Sequence, residues 1–364
     1  MSEAFTGEPI PAGQAPRDRD ELVIRFEQGI DLPRIKQLLT TARERGGQSP
    51  ETVCTLNLVA IYFTAAQYER AREALEAAGT LHPCRLVVLV ADTAVAAESI
   101  TARVSVVRQL GAISMERVVL TATGRAVRHL ESAMLGLLVP ELPMVVVWGG
   151  RPMGDLLQRA VESADRIIID SGARPPTYLA EMAQLVARGA PIGDLAWARI
   201  FPWQALAADV LDLPNLREHR GNIKQTRVVC AGAIGAEGLL LAGWMVSRSK
   251  RIEASVTAEG DAPDPGEENT NLTGIARTAP VGLGQVSLFQ FVAPPATFTF
   301  RREKGILVAE VKGDDDGACV HRVRLPQETP GRLLSLELKL LSGVDELYAA
   351  SLQAAARLLP QSKS

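Results

Sequence analysis

Pro143-Met144-Val145-Val146-Val147-Trp148-Gly149-Gly150 is a stretch dominated by valine, opened by a proline and closed by two glycines. A strand with one wet face alternates apolar and polar residues, whereas this run is apolar at every position and reads as a strand buried on both sides. Helical patterns flank it. The stretch is therefore expected to be a central strand of an α/β sheet, and the question it raises is what its Trp148 end presents.

Working back toward the N-terminus, Val127, Leu130, Met134, Leu137 and Leu138 mark the face of a helix that Pro140 ends. Arg117–Thr121, residues 103–109, Leu86–Val90 and residues 53–63 read as strands. Thr64-Ala-Ala-Gln67 reads as a capping box, in which the hydroxyl accepts a helix amide and the glutamine reaches back. The helix it opens carries Tyr68, Ala71, Leu75 and Ala78 on one side. Residues 21–46 are charged and helical in character, with Pro33 in the first turn of the helix and Leu32, Ile35, Leu38 and Leu39 on one face. Residues 1–20 mix proline, glycine and charge, and read as a disordered tail without the apolar core of a secretory signal.

Toward the C-terminus, Met153, Leu156, Leu157, Ala160 and Val161 suggest a helix, Arg166–Asp170 a strand, and Leu179, Met182, Leu185 and Val186 another helix. Alternating strands and helices with short connections give a Rossmann-like, doubly wound, mainly parallel sheet with helices on both faces. Past Pro191 the pattern changes. Asp194–Leu211 is helical apart from an interruption at Pro202, and 234–249 is a second helical segment. Strand candidates Val286–Val292, Thr297–Phe300, Ile306–Val311 and Val320–Leu325 then follow with short turns, which indicates an antiparallel sheet. A helix around Val344, Leu347, Tyr348, Leu352, Ala355 and Leu359 closes the chain. The expected organisation is a tail and helical extension over 1–50, an α/β domain over 51–190 and an α+β domain over 191–364.

Bulk properties narrow the function. The 364 residues carry a net charge of -3, without the basic excess of a general nucleic-acid binder. No apolar run reaches the roughly 18–20 residues of a membrane-spanning helix. Four scattered cysteines without a CxxC spacing suggest free thiols in a reducing compartment, and the reading is cytoplasmic.

Chemistry-bearing motifs are sparse. Gly149-Gly150-Arg151-Pro152-Met153-Gly154 sits where a phosphate loop would sit, but it matches neither GxGxxG nor GxxxxGK[ST], and Pro152 removes an amide. Asp92 and Asp170 fall at strand C-termini, where ligand sites of open α/β sheets collect, and their plainer role is to cap loops. Arg151, Asp170 and Ser171 form the candidate ligand set. Neither a metal site nor a cofactor site is indicated: the four histidines lack ligand spacing, and Cys84 beside Arg85 has no paired base, although that arginine could lower its thiol pKa. All four tryptophans lie between 148 and 244. Tryptophan and arginine anchor binding surfaces, and equally they pack junctions inside a protein.

The ordered motifs resemble a known family, the glucose-6-phosphate dehydrogenase assembly proteins, OpcA. The pieces that carry the resemblance are Cys54-Thr-Leu-Asn-Leu-Val-Ala60, His82-Pro-Cys-Arg85, Glu141-Leu-Pro-Met-Val-Val-Val-Trp148 and Ala164-Asp-Arg-Ile-Ile-Ile-Asp-Ser171. Asp194-Leu-Ala-Trp-Ala-Arg199 with Pro202-Trp203, Leu240-Leu-Ala-Gly-Trp244 and Asp345-Glu-Leu-Tyr348 complete the set. Gly149 and Gln204 depart from it, at places where the family often has tryptophan and arginine. The resemblance implies a non-enzymatic protein that binds glucose-6-phosphate dehydrogenase and activates it allosterically by promoting its active oligomer, in the oxidative pentose phosphate pathway. The contact residues it suggests are Trp148, Asp194, Trp197, Arg199 and Trp203. The alternative is an enzyme or sensor that binds a sugar phosphate or nucleotide at the strand ends.

Overall fold

The computed structural model describes residues 21–27, 29–45, 54–109, 112–150, 162–249, 251–259, 284–313, 319–325 and 329–359. Two compact units divide the chain, Met1–Pro143 and Met144–Ser364.

In the first unit, β2 (Leu56–Tyr62) is buried at every position, as a strand without alternation should be. It pairs in parallel with β3 (Cys84–Asp92), which pairs in parallel with β5 (Ala112–Thr123). β4 (Ser99–Gln109) returns antiparallel along β5, and β1 (Leu22–Phe26) lies antiparallel on β4. The sequence reading placed Leu22–Phe26 within a helical stretch. The five residues instead alternate between half-buried and exposed, the period of a strand. α1 (Leu32–Glu44) starts at Asp31, whose carboxylate takes the Arg34 amide, with Pro33 in its first turn. α2 (Ala65–Leu81) starts at Thr64, whose hydroxyl accepts from the Gln67 amide at 3.2 Å. Gln67 reaches back to the amide of Phe63 at 2.8 Å, one residue earlier than in the usual box. A short 3-10 turn, Gly124–His129, leads into α3 (Leu130–Leu137).

Buried polar clusters brace this unit, among them those of Asn57 and Glu116. Asn57 binds the carbonyls of Val139 and Leu142 and the amide of Val139, which fixes the chain that follows α3. Glu116, fully buried, is held by Arg43 at 2.6 Å and by Arg85 at 2.5 Å. Burial raises the Cys84 thiol, with smaller contributions from Cys54 and Glu116. The lowered pKa suggested by neighbouring Arg85 is therefore not what this site produces: the guanidinium is turned to Glu116.

In the second unit, β6 (Met144–Trp148), β7 (Arg166–Ile169) and β8 (Ile192–Asp194) run parallel, with α4 (Tyr178–Ala187) between β7 and β8. β8 is three residues long and carries no periodicity to read. The helix expected around Met153 lies outside the described residues. α5 (Leu195–Leu211) runs through Pro202 without breaking. The proline costs one backbone bond, but Trp197, Ile200, Trp203, Leu206 and Val210 bury a continuous stripe around it.

A second sheet has the order β10-β9-β11-β12-β13-β14. Its strands are β9 (Gln225–Cys230), β10 (Glu253–Ala258), β11 (Val286–Ala293), β12 (Ala296–Glu303), β13 (Ile306–Lys312) and β14 (Cys319–Arg324). The last four form the expected antiparallel run. The sheet as a whole is mixed, because β10 lies parallel to β9 through the crossover helix α6 (Ala236–Arg248). Phe289, Phe291, Phe298 and Phe300 alternate into its core, with Phe291 and Phe298 stacked at 4.7 Å. α7 (Pro330–Glu337) and α8 (Glu346–Arg357) close the unit.

α6 and α8 meet at Gly243, where a Cβ would stand 2.3 Å from the Ser351 carbonyl oxygen and 2.8 Å from the Ala355 amide nitrogen. Gly243→Ala gains helix propensity of about 1 kcal/mol but forces two backbones apart. A net loss of about 2 kcal/mol is expected by urea denaturation, while Gly313→Ala, with nothing within 4 Å, should stay within about 0.5 kcal/mol.

Candidate functional site

The C-terminal ends of β7 and β8 bring most of the sequence-selected residues together. Asp194 ends β8 and caps α5. Its Oδ1 accepts the amides of Ala196 (2.9 Å) and Ser171 (3.0 Å), and its Oδ2 accepts the hydroxyls of Ser171 (2.5 Å) and Tyr348 (3.3 Å). Asp345 does the same for α8, taking the amides of Leu347 (2.9 Å) and Tyr348 (3.0 Å) on Oδ1, while its Oδ2 accepts from Trp197 Nε1 at 3.3 Å. The two helices thus exchange side chains. Tyr348 of α8 reaches the cap of α5, Trp197 of α5 reaches the cap of α8, and their rings pack at 5.7 Å. Each carboxylate offsets orphan amides of its own helix and locks the other.

Beside this hub, Arg199 forms a two-pronged pair with Asp170, both N–O distances being 2.7 Å. Planar fork-to-fork pairing of this kind fixes orientation as well as charge. Asp170 also accepts the Gly172 amide at 3.1 Å, and a Cβ on Gly172 would lie 2.7 Å from the guanidinium. Arg174 donates to the Gly149 carbonyl at 2.5 Å, which ties the end of β6 to the loop after β7.

Burial pushes Asp194 up to about 6, opposed by the hydrogen bonds from Ser171 and Ala196 and assisted by the charge of Asp170. Arg199 stays protonated. Burial would lower its pKa, but Asp170 and Glu237 together raise it.

Of the expected contact residues, Asp194, Trp197 and Arg199 share this network. Trp203 lies further along α5 with 2% of its surface exposed, and Trp148 ends β6 with 3% exposed. The tryptophan rings sit in the interior, in the packing role that the sequence left open beside the surface role. Two of the three residues of the ligand set are described, and both are engaged within the protein. Asp170 is occupied by Arg199, Ser171 is buried against Asp194, and Arg151 lies outside the described residues. Asp92 accepts the amide of Ala94, a loop cap. Among the described residues no group of histidine, cysteine and carboxylate side chains could hold a metal, and no helix is long and apolar enough to cross a membrane.

The residue that the sequence reading passed over is Phe201. It lies inside the tryptophan motif, yet it is 63% exposed, the one large apolar side chain of α5 turned outward. Helical spacing left its exposure open: Phe201 falls opposite Trp203 but one turn from Trp197, which is itself buried. Tyr348 and Asp345, quoted only as part of a motif, turn out to complete the hub.

A family model described as the N-terminal domain of the glucose-6-phosphate dehydrogenase subunit matches residues 75–185. A second model, described as the C-terminal domain of that subunit, matches residues 190–352. The chain belongs to the OpcA family. Similar curated proteins are each called a putative OxPP cycle protein OpcA. The one from Synechocystis is 30% identical over 233 residues, covering 60% of this chain and 48% of its own length. Those from Nostoc punctiforme and Synechococcus elongatus are 29% and 28% identical, covering 46% and 51% of this chain and 38% and 44% of their own lengths. The chain spans about half the length of the curated relatives it matches, or less. Among solved structures, UDP-N-acetylglucosamine 3-dehydrogenase GnnA from Acidithiobacillus ferrooxidans aligns over 83% of this chain and 95% of its own, at 8% identity and a TM-score of 0.23, too weak a superposition to bear on fold or chemistry. In OpcA terms, the hub joins the two family domains: Asp170 and Ser171 belong to the first match, and Asp194, Arg199, Asp345 and Tyr348 to the second.

Proposed function

We propose that this OpcA chain is a non-enzymatic, cytoplasmic assembly factor that binds glucose-6-phosphate dehydrogenase and favours its active oligomer, in support of the oxidative pentose phosphate pathway. The observation that carries the reading is the pair of consecutive family matches, over 75–185 and 190–352, both described as domains of a glucose-6-phosphate dehydrogenase subunit. The strand-end polar groups support it, being engaged with one another rather than open to a small molecule. On this reading, the regions 51–190 and 191–364 are the two working domains.

The mechanism is linkage. A protein that binds the active oligomer more tightly than the inactive form shifts the population toward it by its differential affinity alone. Trp197, Arg199 and Trp203 serve that binding from inside, by fixing α5, and Asp194 fixes its start. Phe201 is the side chain that the fixed helix turns outward.

Reconstitution tests the reading. The purified chain and the dehydrogenase of the same organism are mixed, and co-elution, oligomer mass and specific activity are measured. Association with a higher oligomer fraction and higher activity is expected. Absence of association together with unchanged activity would sink the proposal. Phe201→Asp should leave stability within about 0.5 kcal/mol, because the ring is exposed, and weaken association by about tenfold or more. Unchanged affinity in that variant would remove Phe201 from the interface and leave the partnership standing.

A further inference from the structure

The second sheet ends in a strand that is ready to take another. Among the described residues, β14 pairs with β13 alone, in unbroken register from Ile306↔Arg324 to Val311↔Cys319. The Leu325 amide continues that ladder, donating to the Gly305 carbonyl at 2.9 Å. In an antiparallel ladder a residue's N–H and C=O point the same way, and the direction alternates along the strand. Val323 and His321 therefore face β13 as Leu325 does. The N–H and C=O groups of Val320, Arg322 and Arg324 face outward.

Outer strands are ordinarily blunted by proline, by bulges, by brevity or by charge. β14 has six residues, no proline and no register shift. Its guard is charge. Arg322 and Arg324 are exposed, and neither is ion-paired among the described residues. They share a face with Arg301, Lys312, Glu303 and Glu310, as the cross-strand register requires. Both acids there already have basic partners: Arg301 lies 2.8 Å from Glu310 and 3.8 Å from Glu303, and Lys312 lies 3.4 Å from Glu310. Among the described residues this face is left with a surplus of positive charge, flanked by Val320 and Val323, exposed by 43% and 44% on opposite faces.

We propose that β14 receives an extended acidic segment of the dehydrogenase as an added strand. The inference rests on the partnership proposed above and names its chemistry: main-chain hydrogen bonds supply affinity, and carboxylates facing Arg322 and Arg324 supply selectivity. A second copy of this chain fits worse. Two β14 strands paired about Arg322 would set that arginine against its own symmetry mate, and like charges directly opposite are destabilising.

Hydrogen exchange on the full chain, with and without the dehydrogenase, tests this together with two variants. Arg322→Pro removes one outward N–H and spares the β13 ladder, since proline is accepted on an outer strand where its nitrogen faces away. The pair Arg322→Glu with Arg324→Glu reverses the charge and keeps every amide. Slower exchange at Val320, Arg322 and Arg324 in the complex is expected, with affinity about tenfold or more lower in both variants, which is about 1.4 kcal/mol or more. Thermal midpoints should be unchanged. Full affinity in the charge-reversed variant with no protection along β14 overturns the inference and leaves the partnership intact. A free-chain dimer that Arg322→Pro dissolves overturns it in favour of self-pairing. Failure of the unaltered chain to associate at all removes the partnership and this inference with it.

Discussion

Asp194→Ala is expected to destabilise the chain by roughly 4 kcal/mol at neutral pH, the sum of a lost helix cap and of buried donors left without acceptors. Four donors converge on this carboxylate, and both its environment and the Tyr348 ring above it are sealed from water. Alanine leaves the Ser171 and Ala196 amides and two hydroxyls with nothing to bind. Asp194→Asn behaves differently. Its carbonyl oxygen can keep both amides, while its amino group faces the Ser171 and Tyr348 oxygens, each able to accept. The acidity of Asp194 sharpens the contrast. Because burial raises it from 3.8 to about 6, the folded chain holds the proton more tightly than the unfolded chain does. Its contribution is thus complete below about pH 4, declines as pH rises through about 6, and is then lost, a change of roughly 3 kcal/mol. Asparagine resembles the protonated form at every pH. Asp194→Asn should therefore flatten the stability profile between pH 4 and 7, lie within about 1 kcal/mol of the unaltered chain at pH 4 and be no less stable than it at pH 7.5. Urea denaturation over that pH range measures both. An asparagine variant as damaged as the alanine one would show that the hub needs the charge rather than the hydrogen bonds.

The same hub shows what the sequence could and could not convey. Strands buried on both faces, β2, β3 and β6, announce themselves as apolar runs, and the phenylalanines of β11 and β12 announce theirs by alternation. β1, β8 and β10 are short or polar, and partners far along the chain decide that they are strands at all. Tryptophan carries the opposite ambiguity. Its size suits an interface anchor and a core block alike, so composition placed Trp197 and Trp203 in a meaningful motif without saying which way they face. The burial of Trp197 follows from α8, which lies about 150 residues downstream in the chain and supplies Tyr348 and Asp345. Phe201 was hidden for the converse reason: exposure of one aromatic depends on what covers the other faces of its helix. Asp170 at a strand end looked like a ligand group because the fold puts ligands there. Arg199, one helix turn beyond the cap of α5, claims it first.

Glu116→Ala should cost the first unit roughly 3–4 kcal/mol, with no change at the β7–β8 hub. Glu116 is the negative centre of a three-charge cluster, and removing it leaves two guanidiniums facing each other. Arg43 is 34% exposed and can turn to water. Arg85 is 12% exposed and cannot turn far, since it also donates to the Leu137 carbonyl at 2.8 Å. The penalty therefore falls mainly on Arg85, whose charge stays buried and uncompensated. Glu116→Gln keeps one acceptor and should lose about half as much, since hydrogen bonds to charged groups are worth about 1.5–3 kcal/mol. Burial alone would raise the Glu116 carboxyl, yet Arg43 and Arg85 outweigh it and hold its pKa below the ordinary value. The folded chain thus resists protonating this group, so its stabilisation is present above the unfolded-state value near 4.5 and is lost as pH falls through the lower folded value. The pH response is opposite in sign to that of Asp194, and removing both carboxyls in turn separates them. Acid denaturation followed by a probe in the first unit should shift to higher pH in neither Asp194 variant, and should lose its steep acid limb in Glu116→Gln. Double substitution of Glu116 and Arg85 by a matched apolar pair should recover most of the loss, because the cost lies in the unpaired charge and not in the absence of the pair. A double variant no more stable than Glu116→Ala would instead place the cost in packing.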